Sequence, residues 1–388
     1  MRIGHYAPDL WAKGGIATYV RRTGQAQTEA GHEVWYFGRA ERKTKAPEGI
    51  PNQIVHDDNQ LFAAADDVGL DVLHLHRAVD ELPEERVPTV RTMHGHQGGC
   101  PSGSRYLART RTPCNRAYSL VGCLWGHVVD RCGSVRPQRL LHSFTRIEHE
   151  LAQAEKVPTF TVSDFLREQM IRAGCAPDVL HTIHSPAPVV NHPFTPVPRE
   201  GTPRFLYLGR LVPQKGLEWL IRSIAQVDVP VQLDVAGEGP DRSKLEDLAH
   251  TLGISNQVVF HGWVDQANVA TLMQEARGVV FPSVWHEPAG LVSLEAAAHG
   301  RALIGSRVGG IPEYAHASFA RLVEPHDTEG LAHAIAALAS APDLADTLGQ
   351  QGYTYAREAR TMQSFIKQVD AWYLKACATH DVCASNIK

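Results

Sequence analysis

Phe205-Leu206-Tyr207-Leu208-Gly209-Arg210-Leu211-Val212-Pro213-Gln214-Lys215-Gly216-Leu217 is the stretch that decides the fold. Its opening Phe205–Leu208 is a short apolar run, which reads as a buried strand. Leu217, Leu220, Ile221 and Ile224 follow at i, i+3, i+4 and i+7, the spacing of one helix face. Gly209, Arg210 and Lys215 therefore fall in a strand-to-helix turn. A helix start offers free N–H groups and the positive end of a dipole, so it favours anions. Two cations beside it could neutralise a diphosphate without a metal, or could be solvated charges flanking a turn.

The same pattern recurs downstream. Gly237-Glu238-Gly239 closes another apolar run, and Val279-Val280-Phe281 leads into Trp285-His286-Glu287-Pro288-Ala289-Gly290-Leu291-Val292-Ser293-Leu294-Glu295. Pro288 and Gly290 keep Glu287 in a loop, with a helix starting just after it. Glu295 is then expected about two turns into that helix, with Leu291, Leu294 and Ala298 facing the sheet. A carboxylate at Glu295 is an apt acceptor for ribose hydroxyls, and Glu287 could reach a sugar on the other side of the phosphates; two ordinary surface glutamates fit the same spacing. The strand Ala302-Leu303-Ile304 precedes a further helix start at Gly310-Ile311-Pro312-Glu313.

Ser185 to Arg204 contains Pro186, Pro188, Pro193, Pro196, Pro198 and Pro203, a stretch that cannot hold a regular element. Before it, strands are read at Ile3–Ala7, Val34–Phe37, Val72–Leu75, Val90–Met93 and Phe160–Val162. Helices are read at Gly15–Ala30 and Asp164–Ala173. Strands alternating with helices mean parallel sheets covered on both faces. The expected class is α/β, with two Rossmann-like doubly wound domains facing across a cleft. Residues 1–185 are expected to form the first domain, 186–204 the linker, 205–360 the second domain and 361–388 a terminal helix. Phe365, Val369, Trp372 and Tyr373 share one face of that helix.

The chain has 388 residues, enough for two domains with a core each. A net charge of −4 argues against bulk nucleic-acid binding. No apolar run is long enough to span a membrane. The first residues enter a strand without a secretory signal, and the seven cysteines are an odd number. Both point to a reducing cytoplasm.

Gly14-Gly15 opens a helix after the first strand and would let backbone approach a phosphate, though a plain tight turn has the same signature. His94 ends the run Thr89–Met93. With 21 histidines in the chain, any one of them is by default a packed or solvated side chain. His94 and His96 together could take a metal. His74 and His76 are read as pointing to opposite faces of their strand.

Residues 100–147 hold Cys100, Cys114, Cys123 and Cys132. They also hold Arg105, Arg109, Arg111, Arg116, Arg131, Arg136, Arg139 and Arg146, against the single acid Asp130. The broken apolar pattern reads as an insertion rather than a core element. Four thiolates suit a tetrahedral structural zinc that would order a loop too small for its own core. The long spacings, with no Cys-x2-Cys pair, equally suit free packed thiols. The arginines suit an anionic membrane surface or a phosphate-bearing acceptor, or simply a solvated loop.

The ordered series Gly209-Arg210-Leu211…Lys215-Gly216, Gly237-Glu238-Gly239, Glu287-x7-Glu295 and Gly309-Gly310-Ile311-Pro312-Glu313 closely resembles glycosyltransferase family 4, whose members are retaining, nucleotide-sugar-dependent enzymes of the GT-B fold. The resemblance is strong over 200–320. It is fainter before that, at Gly14-Gly15-Ile16, His94 and Ser163-Asp164-Phe165. It implies catalytic roles for His94, Arg210, Lys215 and Glu287, with His94 contacting the transferred sugar. It implies donor contacts at Gly14, Gly15, Gly209, Gly237, Glu238, Val264, Gly290, Leu291, Val292 and Glu295, with the base near His261-Gly262-Trp263-Val264. It also implies a terminal helix that crosses back to the first domain.

The expected activity is transfer of a hexosyl group to a saccharide or lipid-linked acceptor in polysaccharide or glycoconjugate synthesis. The donor is a nucleotide diphosphate sugar, the place of action the cytoplasm or the inner membrane face. No Asp-x-Asp motif stands where a metal-dependent transferase would need one, so no metal cofactor is expected for catalysis. Rival readings are another GT-B enzyme, such as a nucleotide-sugar epimerase or phosphorylase, and a non-catalytic nucleotide-sugar-binding module.

Overall fold

The structure is a computed structural model that describes residues 1–12, 14–39, 48–84 and 86–379. The chain begins with β1 (Arg2–Tyr6), α1 (Gly15–Glu29), β2 (Glu33–Arg39), β3 (Asn52–Val55), α2 (Asp58–Val68), β4 (Val72–Leu75) and β5 (Thr89–Met93). A long connection follows, with a short antiparallel ribbon of β6 (Tyr106–Leu107) and β7 (Thr112–Pro113), then α3 (Leu120–Val128). Next come α4 (Pro137–Lys156), β8 (Thr159–Thr161), α5 (Asp164–Arg172) and β9 (Leu180–Thr182). The seven main strands form a parallel sheet in the order β3-β2-β1-β4-β5-β8-β9. Such strands are buried on both faces, and β4 and β5 are buried at every position.

After an irregular, proline-rich crossing, the second sheet contains β10 (Arg204–Leu208), β11 (Gln232–Ala236), β12 (Val258–Gly262), β13 (Gly278–Phe281), β14 (Ala302–Ser306) and β15 (Ala320–Val323). Its order is β12-β11-β10-β13-β14-β15, the doubly wound arrangement with a switch point beside β10. Its helices are α6 (Leu217–Ile224), α7 (Arg242–Thr251), α8 (Gln266–Glu275), α9 (Leu291–Ala298), α10 (Ile311–Tyr314), α11 (Thr328–Ser340) and α12 (Pro342–Glu358). Leu217, Leu220, Ile221 and Ile224 of α6 are all buried, as their spacing requires.

The final helix, α13 (Met362–Ala378), packs on the first sheet. Its Phe365, Ile366, Val369, Tyr373 and Ala376 join Ile3, Val72, Val90 and Phe160 in one cluster. Full burial of a Phe, Ile or Val side chain stabilises by about 1.5–3 kcal/mol, so several such anchors hold the helix against the first domain.

Strands β3 and β9 and helix α2 lie outside the elements that periodicity picks out. The stretch read as an insertion also ends earlier than 147. Residues 137–147 open α4, which crosses between β5 and β8 with Pro137 in its first turn. One face of α4 buries Ile147, Glu150, Gln153 and Ala154. That face carries two polar residues, so it does not read as an apolar stripe. Glu150 is paired with the buried Arg91 of β5.

Candidate active site

A cleft of about 620 Å³ runs between the carboxyl edge of the second sheet and the start of α1. The second domain contributes Leu208, Gly209, Arg210, Gly237, Glu238, Trp263, Val264, Leu291 and Glu295 to it. The first contributes Gly14, Gly15, Thr18, Tyr19 and Arg22. Nine candidates are thus brought together: Gly14, Gly15, Gly209, Arg210, Gly237, Glu238, Val264, Leu291 and Glu295. His94, Lys215, Glu287, Gly290 and Val292 are not in this lining.

The edge is built from turns that touch through backbone. Gly209 N–H donates to Ala236 O at 3.1 Å, Leu211 N–H to Glu238 O at 2.9 Å and Gly237 N–H to Gly262 O at 2.8 Å. Gly216, the N-cap of α6, has φ +70, and a Cβ there would lie 1.8 Å from Pro282 O. Only glycine lets that turn close on the next strand's end. Gly309, at φ +60, likewise presses on the Glu287 backbone, with 2.5 Å between a would-be Cβ and both its N and O. These contacts set Lys215 against Glu287. Lys215 Nζ lies 2.6 Å from Glu287 Oε1, and the Ser283 hydroxyl donates to the same oxygen. Lys215 also lies 5.5 Å from the centre of the Trp285 ring. The cation is held in place by its own counter-charge, beside a cleft lined by Arg22 and by the exposed Arg210.

Glu295 stands little more than one turn into α9, nearer the helix start than expected. Burial raises its carboxyl above the ordinary value, and Arg22, from across the cleft, opposes that rise. Leu291 does not face the sheet: it is 38% exposed and lines the cleft. Gly290 is pressed against Tyr314 and Ile311, while Val292 packs on the core beside α9. Trp263 and Val264 line the cleft, whereas His261 turns to Asp234 at 2.8 Å.

On the opposite wall, His94 lies against Tyr19, with ring centres 4.7 Å apart. Its Nε2 is 3.0 Å from His76 Nδ1. Burial, with Arg91 adding to it, pushes His94 down to about 3, so the ring is neutral at physiological pH. His74 and His76 correct the reading of opposite faces. Residues two apart on a strand share a face, and these two rings stack at 4.3 Å. Among the described residues no group of three possible metal ligands includes His94 or His96. His96 donates instead to the His286 carbonyl at 2.6 Å.

That contact belongs to the seam between domains. Ser163 donates to Pro288 O, and His286 Nε2 pairs with Asn115 Oδ1 at 2.7 Å. Glu313 accepts from the backbone N–H groups of Asp164 at 2.6 Å and Phe165 at 2.7 Å. A carboxylate from α10 therefore caps α5 across the seam, a role beyond the helix start that the sequence around Glu313 indicates.

In the long connection the thiols of Cys100, Cys114, Cys123 and Cys132 lie near one another. Cys132 is pushed up to about 12 by burial first and then by the other three. No three of these sulfurs fall within 4.8 Å of one another among the described residues. A tetrahedral zinc with Zn–S of about 2.3 Å would need sulfurs about 3.8 Å apart, a closer grouping than any three of these thiols make here. The arginines divide. Arg105 is 3% exposed and donates to the Gly99 and Arg116 carbonyls. Arg111 pairs with Glu218 at 2.8 Å, Arg116 with Asp130 at 2.6 Å, and Arg146 donates to Pro101 O. Arg109, Arg131, Arg136 and Arg139 are exposed. Among them α3, capped by Ser119, exposes Leu120, Val121, Leu124, Trp125 and Val128, with Val121 81% exposed. No described helix is long and apolar enough to cross a membrane.

Site residues beyond sequence reach are Thr18, Tyr19 and Arg22 on α1. Their helical spacing matches that of any buried face. Arg22 alone, a charge one turn beyond Thr18, was a readable signal.

Residues 191–355 match the family Glycosyl transferases group 1. An uncharacterised glycosyltransferase of Methanocaldococcus jannaschii is 44% identical over 110 residues, 28% of this chain and 28% of that protein. The D-inositol 3-phosphate glycosyltransferase of Streptomyces griseus is 33% identical over 190 residues, 46% of this chain and 38% of its own. The chain spans less than half the length of these relatives. Among solved structures, sucrose-phosphate synthase from Thermosynechococcus elongatus superposes with a TM-score of 0.73 at 22% identity, covering 97% of this chain and 99% of that one. HepE of Anabaena, solved with UDP and glucose, gives 0.69 at 15% identity, covering 97% and 100%. By sequence over its second domain and by fold over both, the chain is similar to glycosyltransferases, and its fold is GT-B.

Proposed function

We propose that the protein is a retaining glycosyltransferase that moves a hexosyl group from a nucleotide diphosphate sugar to a saccharide or lipid-linked acceptor, without a metal ion. The observation that carries this reading is the convergence of Gly209, Arg210, Gly237, Glu238 and Glu295 on one cleft, opposite the start of α1 at Gly14-Gly15. Glu295 accepts hydrogen bonds from the ribose. Arg210 and Lys215 offset the charge that grows on the leaving diphosphate, in a site where fixed cations act without reorganising. Glu287, already fixed by Lys215 and Ser283, accepts from sugar hydroxyls, and His94 meets the sugar from the other wall. The C1–O bond to phosphate breaks as the acceptor oxygen bonds C1 on the same face. The leaving phosphate oxygen takes the acceptor's proton, so no side-chain base is required.

Support for a place of action at the membrane comes from α3. An exposed apolar helix with a tryptophan and arginines around it suits the headgroup layer of an anionic bilayer. Arg109, Arg131, Arg136 and Arg139 replace the buried or paired Arg105, Arg111 and Arg116 as the contacts. The enzyme then works as a peripheral protein at the inner membrane face, on an acceptor displayed there.

The test is nucleotide release from UDP-, GDP- and ADP-sugars with and without saccharide acceptors, in EDTA, with the product anomer read by NMR. Acceptor-dependent release with retained configuration is expected. Loss of activity on chelation, restored by Mg²⁺ or Mn²⁺, would overturn metal independence, and an inverted product would overturn retention.

A further inference from the structure

Behind His94 lies a buried chain of hydrogen bonds that the reaction as proposed does not use. His76 Nδ1 faces His94 Nε2 at 3.0 Å, and His76 Nε2 faces His5 Nδ1 at 2.9 Å. His5 Nε2 faces the Gln27 Oε1 at 2.6 Å, and Gln27 Nε2 donates to the Tyr373 hydroxyl at 3.2 Å. That hydroxyl lies 2.6 Å from His74 Nδ1, and His74 Nε2 lies 2.7 Å from Thr92 Oγ1. The chain draws on β1, β4, β5, α1 and α13. Burial keeps its rings neutral, His5 being pushed down to about 4 and His74 and His76 well below the usual histidine value.

A neutral imidazole has one donor and one acceptor nitrogen. When both face partners, fixing one proton fixes the next ring. With the Gln27 carbonyl toward His5, His5 must carry its proton on Nε2 and accept at Nδ1. His76 then donates from Nε2 and accepts at Nδ1, and His94 donates from Nε2. On the other side Tyr373 accepts from Gln27 and donates to His74, which donates to Thr92. Every bond then has one donor and one acceptor. Turning the Gln27 amide over would reverse every bond, so the chain has a single polarity at a time.

We propose that His76, His5, Gln27 and Tyr373 are positioning residues that hold His94 in its Nε2–H form, leaving Nδ1 as an acceptor for a donor-sugar hydroxyl and making the terminal helix part of the site. The proposal rests on the reading of His94 as a sugar contact. It extends that reading to a residue nearly three hundred positions away in sequence, docked by α13.

Two measurements test it. Long-range ¹H–¹⁵N spectra of the histidine-labelled protein should give His94 as a neutral ring protonated on Nε2, with Tyr373→Phe or Gln27→Leu disturbing that state. A His94 protonated on Nδ1, or doubly protonated, at neutral pH overturns the proposal whatever the activity. In kinetics, Tyr373→Phe should lower kcat by about 10–100-fold, the size of effect that outer partners orienting a metal-bound histidine have, with donor affinity unchanged. In a His94→Ala background the same change should cost less than about twofold, because residues acting as a unit are not additive. An equal loss in both backgrounds would make Tyr373 merely structural and overturn the proposal. A protein that turns over no nucleotide sugar at all would instead fail the functional reading, with the tautomer result still standing.

Discussion

The two sheets are wound alike around their switch points, yet their carboxyl edges are chemically opposite. The second domain presents glycine turns, an exposed arginine and carboxylates to the cleft. The first presents one helix start and, behind Tyr19, a set of neutral buried histidines. On the proposed function, the second edge serves charge that arrives with a ligand. The first serves orientation, where direction of a hydrogen bond matters and net charge does not. A phosphate demands cations and backbone N–H groups, whereas sugar hydroxyls demand donors and acceptors held in place.

The largest effect should come from breaking the charged edge. Arg210→Ala and Lys215→Ala should each lower kcat by about 10²–10³, the loss expected for one electrostatic contact made in the transition state. Steady-state turnover against the preferred donor measures it. Near-normal rates in both variants would move the diphosphate away from this edge and erase the contrast.

The next effect concerns the connection that hangs from the first domain. Changing Arg131, Arg136 and Arg139 to Ser should weaken sedimentation with phosphatidylglycerol vesicles by roughly fivefold per arginine, and Val121→Asp with Trp125→Ser should weaken it further. Binding should also fall with salt. Equal binding by all variants, or equal binding to neutral vesicles, would remove the bilayer as the partner and leave a protein surface or a second copy to cover α3.

A smaller effect sharpens the difference between the edges by pH. Burial raises the Glu295 carboxyl in the folded chain. Stability from that group is fully present below its unfolded value of about 4.3 and is lost as pH rises through the raised folded value. Wild type should therefore lose thermal stability relative to Glu295→Gln as pH rises across that window, as melting curves would record. Parallel curves would place Glu295 in a wetter setting than the cleft wall described.

The contrast also explains what was legible in the chain. Strands such as Phe205–Leu208 and Val72–Leu75 declare themselves because burial on both faces leaves an uninterrupted apolar run. Gly209, Arg210, Gly237 and Glu295 are legible because each is tied to the end of such a run. The Lys215–Glu287 pair needs two turns pressed together by Gly216 and Gly309, a contact that no local spacing encodes. The chain from His94 to Tyr373 is less legible still, since its members come from five elements and each looks alone like a packed polar residue. Helix α4 was hidden because Glu150 and Gln153 occupy its buried face. The exposed apolar helix α3 was hidden because its short run, Leu120–Val128, lies in a stretch whose broken apolar pattern reads as an insertion, and an apolar run does not tell whether anything covers it.

The most direct measurement of the central claim is a thermal-shift panel of UDP-, GDP- and ADP-sugars on wild type, Arg210→Ala and Glu295→Ala. A ligand that binds only the folded chain stabilises it by about 2.7 kcal/mol at a hundred times its Kd. One donor of the panel should raise Tm clearly in wild type and much less in either variant. No shift with any nucleotide sugar, or a shift that both variants keep in full, would contradict the placement of a nucleotide sugar on the edge of the second sheet.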